Sequence, residues 1–389
     1  MRFSKMKTPA IQQKSIVLLA AIGLAFLLPI VRGVDVAKES SSDKNLTLDL
    51  GQNVTMQMKW IPAGEFLTSK PSDDVMGSPA APKIKVAITK PFYMASTEVT
   101  RGQFEAFVSQ SGYRTEAEAR GWGTYWDKAS KSNKPIPGRD WRHPGYEQDS
   151  DHPVACVTWN DANRFCHWLG EKTGRHVRMP TEAEWEYACR AGTTTRFQWG
   201  DKADAAKGWC NLTDETLRQA LMKSVPPGIT SDNPICSWSD GYAFTSPAGR
   251  FKPNAWGLFD MHGNLWEWCA DWQGNAYPGD GSSVDPHGPI NGTKRVIRGG
   301  CWAEPPMFAR SLSRVGWEPD NADFGVGFRV CCGEVAPASA ASHQPTAPAG
   351  TQDAPSPADR IKQIKQLMEQ GLIDKQEYDR RVKEILDAI

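Results

Sequence analysis

The chain has no excess of either charge. Its 389 residues carry 45 Lys and Arg against 45 Asp and Glu, and no basic stripe stands out. Proteins that hold nucleic acid through its phosphates need such a stripe, so no nucleic-acid partner is expected. Cysteine is absent before Cys156 and after Cys332, and tryptophan is absent outside Trp60–Trp317. The flanks therefore differ from the working domain between them. Tyrosine is sparse, 8 residues against 16 tryptophans. No two of the seven histidines (143, 152, 167, 176, 262, 287 and 343) stand four apart. No helix therefore offers the H-x-x-x-H pair that binds iron from one face. A full spanning run is also missing: IVLLAAIGLAFLLPIV (16–31) falls short of the ~20 residues that cross a bilayer.

That run follows Arg2, Lys5, Lys7 and Lys14. A basic region before a short apolar stretch reads as a signal peptide or an uncleaved N-terminal anchor over 1–33. Both place the body outside the cytoplasm, as an exported protein that is periplasmic, secreted or anchored. Disulfides persist there, and the odd total of nine cysteines leaves at least one thiol unpaired within the chain.

Residues 34–53 read as a polar tether. From 54 to 333 the chain reads as one α+β domain with little regular structure. Alternation in VTMQMKWIPAGEF and KIKVAITKPFYMASTEVT predicts short strands. Three helices are predicted. Thr100 caps the first, with Gln103 at the capping-box position and Gly112 as the stop. Asp161 begins the second. Thr181 caps the third, with Glu184 as box partner and Gly192 as stop. Residues 334–357, rich in Pro, Ala and Ser, form a linker. After it, 358–389 predict a helical hairpin, with Ile361, Ile364, Leu367 and Met368 on one apolar face and Tyr378, Val382, Ile385, Leu386 and Ile389 on the other. A hairpin that small is expected to self-associate or dock on a partner. It resembles the short C-terminal oligomerisation modules of bacterial proteins.

Six motifs stand in order in the central domain: HPVACVTWNDANRFCHWL (152–169), RMPTEAEWEYACRAGT (178–193), RFQWGD (196–201), WGLFDMHGNLWEWCADW (256–272), RVIRGGCW (295–302) and GFRV (327–330). Together they resemble the formylglycine-generating-enzyme family, also called sulfatase-modifying factors. The resemblance runs from about 55 to 332. It implies a C-type-lectin-like α+β fold with bound calcium. One implied calcium site comprises Asp260, Glu267 and the carbonyls of Gly263 and Leu265. A second comprises Asn211, Asp240 and the carbonyls of Leu212 and Tyr242. Hard oxygen donors of this kind suit calcium. Ergothioneine-type sulfoxide synthases form a further branch, but they need the histidine pair that is missing here.

The family's founding activity converts a cysteine in a Cys-x-Pro-x-Arg sulfatase peptide to formylglycine, using oxygen and copper(I) held by two thiolates. The resemblance places those thiols at Glu304 and Ala309, and no cysteine lies between Cys301 and Cys331. Cys301 stands where the family usually has serine. The resemblance also suggests a Cys166–Cys331 disulfide, with Cys332 next in line for Cys166. Cys210 and Cys236 flank an insertion and are candidates to staple it. Trp266, Arg298, Trp302, Arg310 and Arg314 are the candidate cleft residues, with a peptide or glycan as ligand, an exported sulfatase being one carrier that the resemblance implies. The resulting expectation is an exported, non-oxidising paralogue that binds a peptide or glycan. The alternative is an oxidase with a rearranged copper site that uses Cys301, with Cys269 or Met307 as second soft ligand.

Overall fold

The computed structural model describes residues 45–69, 83–127, 129–224, 236–274 and 282–333, with five single positions after 360. Regular structure begins inside the stretch expected to be a tether. In LTLDLG every second residue is leucine, and β1 (Leu46–Gly51) buries Leu48 and Leu50. It turns through Gln52 and Asn53, both at positive φ, into β2 (Val54–Ile61). β3 (Gly64–Ser69), β4 (Lys83–Ile88) and β5 (Phe92–Ala95) follow.

The helices obey their capping signals. α1 (Arg101–Ser111) has Thr100 and Gln103 in a reciprocal box and ends at Gly112 in the left-handed conformation. α2 (Glu116–Arg120) repeats the device with Thr115 and Glu118 and was not foreseen, because five residues carry no readable periodicity. It leads into the hairpin β6 (Trp122–Asp127) and β7 (Ser132–Pro137). α3 (Trp159–Thr173) begins two residues earlier than expected. Thr158 is its cap, and Asp161 is the box partner three positions on rather than the start. β8 (Val177–Arg178) and α4 (Glu182–Arg190) follow, the latter capped by Thr181 and Glu184 as predicted. Ala191, one residue before the expected Gly192, takes the left-handed turn that ends it. α5 (Glu215–Lys223) lies in the insertion and is capped by Asp214. The remaining strands are β9 (Trp266–Trp272), β10 (Ser282–Val284), β11 (Arg295–Arg298), β12 (Arg314–Trp317), β13 (Val326–Phe328) and β14 (Cys331–Gly333).

These strands make a five-stranded sheet, β1-β2-β5-β14-β8, and a four-stranded sheet, β12-β11-β9-β13, besides a three-stranded sheet and the β6–β7 pair. α1 and α3 pack with the larger sheet around Phe104, Phe107, Phe165 and Phe328, whose rings meet mostly edge to face. A second core gathers Met94, Trp185, Cys189, Leu258 and Val296. β9 and β11 pair so that Arg298 faces Glu267 in register, which sets the polar interior described below.

Among the described residues, no helix is long and apolar enough to cross a membrane. The N-terminal run at 16–31 and the linker at 334–357 lie outside the described residues. So does the C-terminal hairpin, apart from five helical positions between 361 and 382.

Candidate functional site

The Gly299-Gly300 turn leaves β11 with both glycines at positive φ, 101° and 78°. Gly300 has a steric reason as well: a Cβ there would meet the backbone and Cβ of Ala309 at about 3.0 Å. Cys301 follows and is 4% exposed. Burial, and then the nearby Glu304, push its thiol well above the ordinary range. Neither soft partner considered for it belongs to its core cluster. Cys269 belongs to the other core cluster, and Met307 is 45% exposed. Ala309, at the second thiol position, is fully buried. A two-thiolate copper site does not fit these residues.

The neighbouring Trp302 explains why the turn is sealed. It stands edge-on to Tyr146 and Phe244, at 5.3 and 5.2 Å between ring centres, and lies against Phe324. Leu217 and Leu221 of α5 complete this cluster. The insertion thus brings a helix whose apolar face fills the space beside Trp302. The sequence reading of this insertion goes no further than the cysteines that flank it, Cys210 and Cys236.

The expected cleft is largely interior. Trp266, Trp302 and Arg298 are buried, Arg298 completely. Arg298 binds Glu186 at 2.6 Å and three carbonyls of residues 311–313, and Glu186 also holds Arg190 at 2.8 Å. Arg314 grips Glu182 with two bonds, at 2.6 and 2.7 Å. Arg310 bonds to the Met307 carbonyl. These arginines tie loops together instead of lining an open groove, because each guanidinium is matched to a carboxylate or carbonyl.

Beside them lies a buried carboxylate cluster. Glu267 receives Arg329 Nε and Nη2, both at 2.6 Å, and Trp185 Nε1 at 2.7 Å. Glu98, which sequence reasoning passed over as part of a strand, accepts from Leu265 N and Asn264 Nδ2. Its only signal was a lone carboxylate in the otherwise uncharged STEVT. Burial, and then Asp260 and Glu267, push Glu98 far above the carboxylate range. Asp260 sits at φ +56° and accepts from Gly249 N, while its Oδ1 is buried without a partner. Burial raises it to about 6.

Both calcium sets can be tested against this geometry. In the first, Asp260 Oδ1 is available and Gly263 approaches closely: a Cβ there would fall 2.1 Å from the Asn211 carbonyl. Both oxygens of Glu267, however, already serve Arg329. In the second, Asn211 Oδ1 is buried and unpartnered. Asp240 folds back onto Leu212 N and Tyr242 N. Burial, with Asp214 adding to it, raises Asp240 to about 8. An orphaned amide oxygen beside a carboxylate short of counter-charge suits a hard cation. The second set thus offers Asn211 Oδ1 beside the Asp240 segment, and the first offers Asp260 Oδ1.

His262 is buried. Its Nδ1–H donates to the Ala309 carbonyl at 2.6 Å, and its Nε2 accepts from Gln198 N. Burial lowers it to about 4, so it stays neutral. All nine cysteines are free thiols, so neither Cys166–Cys331 nor Cys210–Cys236 is joined. Instead, Cys331 Sγ lies 3.1 Å from Arg178 Nη1.

A model of the sulfatase-modifying factor enzyme 1-like domain matches residues 47–333. The chain belongs to this family. The formylglycine-generating enzyme of Streptomyces coelicolor is 31% identical over 69% of this chain and 87% of its own length. The inactive Cα-formylglycine-generating enzyme 2 of Bos taurus is 31% identical over 74% of this chain and 91% of its own. The structure of PvdO from Pseudomonas aeruginosa superposes with a TM-score of 0.54 at 29% identity, covering 74% of this chain and 98% of that one. The mixed α and β architecture with few helices is thus that of the family.

Proposed function

We propose that this chain is a non-oxidising member of the sulfatase-modifying factor family that binds a peptide or glycan outside the cytoplasm. One observation carries the reading. The two positions that need thiolates hold Glu304 and Ala309, and the thiols around them, Cys301 in the main core cluster and Cys210 in the cluster of Ala309, are both buried. A copper(I) site needs two soft ligands open to a substrate thiol. The relative named as inactive in Bos taurus supports the view that the family includes members without oxidation.

Export rests on the basic, then apolar N-terminus. Calcium is proposed as a structural ion, held by Asn211, Asp240 and the carbonyls of Leu212 and Tyr242, with Asp260 serving the second position. Bound there, it supplies charge to carboxylates that otherwise lack it. The C-type-lectin-like description of the fold, and a C-terminal hairpin that self-associates or docks on a partner, belong to the same proposal. So does an exported sulfatase as the carrier of the peptide.

Turnover tests the reading. The mature protein is incubated with Cu(I), oxygen and a Cys-x-Pro-x-Arg peptide, and the peptide is weighed by mass spectrometry. No aldehyde and no copper in the recovered protein is the expected result. Aldehyde that disappears in Cys301→Ser would overturn it.

A further inference from the structure

We infer that the groove between β7, the 138–148 loop and the end of α5 binds an acidic peptide segment, with Arg139 as its anchor. This rests on the binding reading above and names the ligand class. The groove encloses about 680 Å³, within the range of small-ligand sites. Arg101, Arg139, Arg142 and His143 line it, against Glu147 as the single acidic lining residue.

Arg139 is half-buried and has no hydrogen-bond or ion-pair acceptor among the described residues. It is nevertheless held in place. Gly145 has φ +103°, and a Cβ there would fall 1.4 Å from Arg139 Nη1. The guanidinium thus occupies a notch that only glycine leaves open. Two further polar atoms of lining residues are buried without partners, Arg101 Nε and Gln148 Oε1. Gln148 itself is 8% exposed. A half-exposed guanidinium held in place without an acceptor among the described residues is free to take a carboxylate through two parallel bonds. Gln148 Oε1 can in turn accept from a peptide N–H. Arg142 adds a second positive charge, stacked on Trp141 at 4.2 Å and paired with Glu118.

The surroundings favour a peptide over a sugar. Tyr146 and Phe244 stack on each other at 5.0 Å and 10°, and both stand against Trp302, so they cover one another's faces instead of offering a platform for a pyranose. Strand addition to β7 is blocked as well. Pro135 and Pro137 lack N–H groups, so recognition falls to side chains and their charge.

The test is fluorescence polarisation of the full-length protein with a dye-labelled peptide of alternating Asp and Gly. Parallel arms use the same peptide with Asn for Asp, and a sulfated disaccharide. The acidic peptide is expected to bind, and its Asn version about tenfold more weakly, the effect of losing one charge-assisted bond. Arg139→Gln and Gly145→Ala each lose about tenfold, Arg139→Lys falls between, and Arg250→Gln, on the exposed surface away from the groove, is unchanged. Melting curves establish that each variant is folded. Equal binding of the Asn peptide, unchanged affinity in folded Arg139→Gln, or no binding at all overturns the inference. Tighter binding of the disaccharide overturns the peptide assignment. Aldehyde formation in the turnover assay refutes the non-oxidising reading without touching this groove, and failed peptide binding leaves that reading standing.

Discussion

Exchanging Glu267 or Arg329 probes the buried ion pair between β9 and the link from β13 to β14. Both side chains are 0% exposed, and two bonds of 2.6 Å join them. Removing one member of such a pair costs about 3–5 kcal/mol, because the other charge is left in a medium that cannot solvate it. Here the two losses differ. Glu267→Gln leaves Arg329 facing Glu98 and Asp260, both close enough to act on its charge. Arg329→Met leaves the carboxylates without their shared counter-charge. The first change therefore belongs at about 3 kcal/mol and the second at about 5 kcal/mol or more. For domains of 150–250 residues each kcal/mol moves Tm by about 2–4 °C, so drops of about 6–12 °C and 10–20 °C are expected. Calorimetry in the presence of a chelator measures both. A Glu267→Gln variant that loses as much as Arg329→Met would refute the asymmetry, and with it the claim that three carboxylates share one guanidinium.

Three other outcomes follow from the same geometry. Restoring thiols with Glu304→Cys and Ala309→Cys is expected to leave aldehyde formation undetectable, since Ala309 is fully buried against Cys210 and Leu212; turnover by the double variant would show that this position opens to substrate. Burial and then Glu304 raise Asp323 to about 7. Its folded pKa lies above the unfolded 3.8, so its contribution is full below pH 4 and lost as pH rises through 7; Asp323→Asn should melt above the parent at pH 8, by less at pH 5, and lose that advantage by about pH 4. Maleimide labelling without reductant should reach Cys236, which is half-buried, slowly in the folded protein, and all nine thiols after unfolding; a smaller total would reveal a disulfide.

What could be read from the chain was local. The boxes at Thr100–Gln103 and Thr181–Glu184 span three residues, so their geometry follows from helix sterics alone. The loss of both thiol positions is likewise a matter of which residue stands where, once the motifs give the register. The misread segments were those where pattern is thin: six residues of β1, five of α2, and an insertion whose apolar spacing had no visible partner.

Arg298, Arg310, Arg314, Trp266 and Trp302 carried the right chemistry for a cleft, yet four of them face inward. Their partners, such as Glu186 for Arg298 and Glu182 for Arg314, stand 112 and 132 residues away. Glu98 meets Leu265 across 167 residues. Whether an arginine lines a groove or ties a loop depends on which carboxylate folding brings to it. Arg139 shows the other outcome. Its side chain resembles theirs in the sequence, and only the notch at Gly145, with no acceptor among the described residues, leaves it facing a groove.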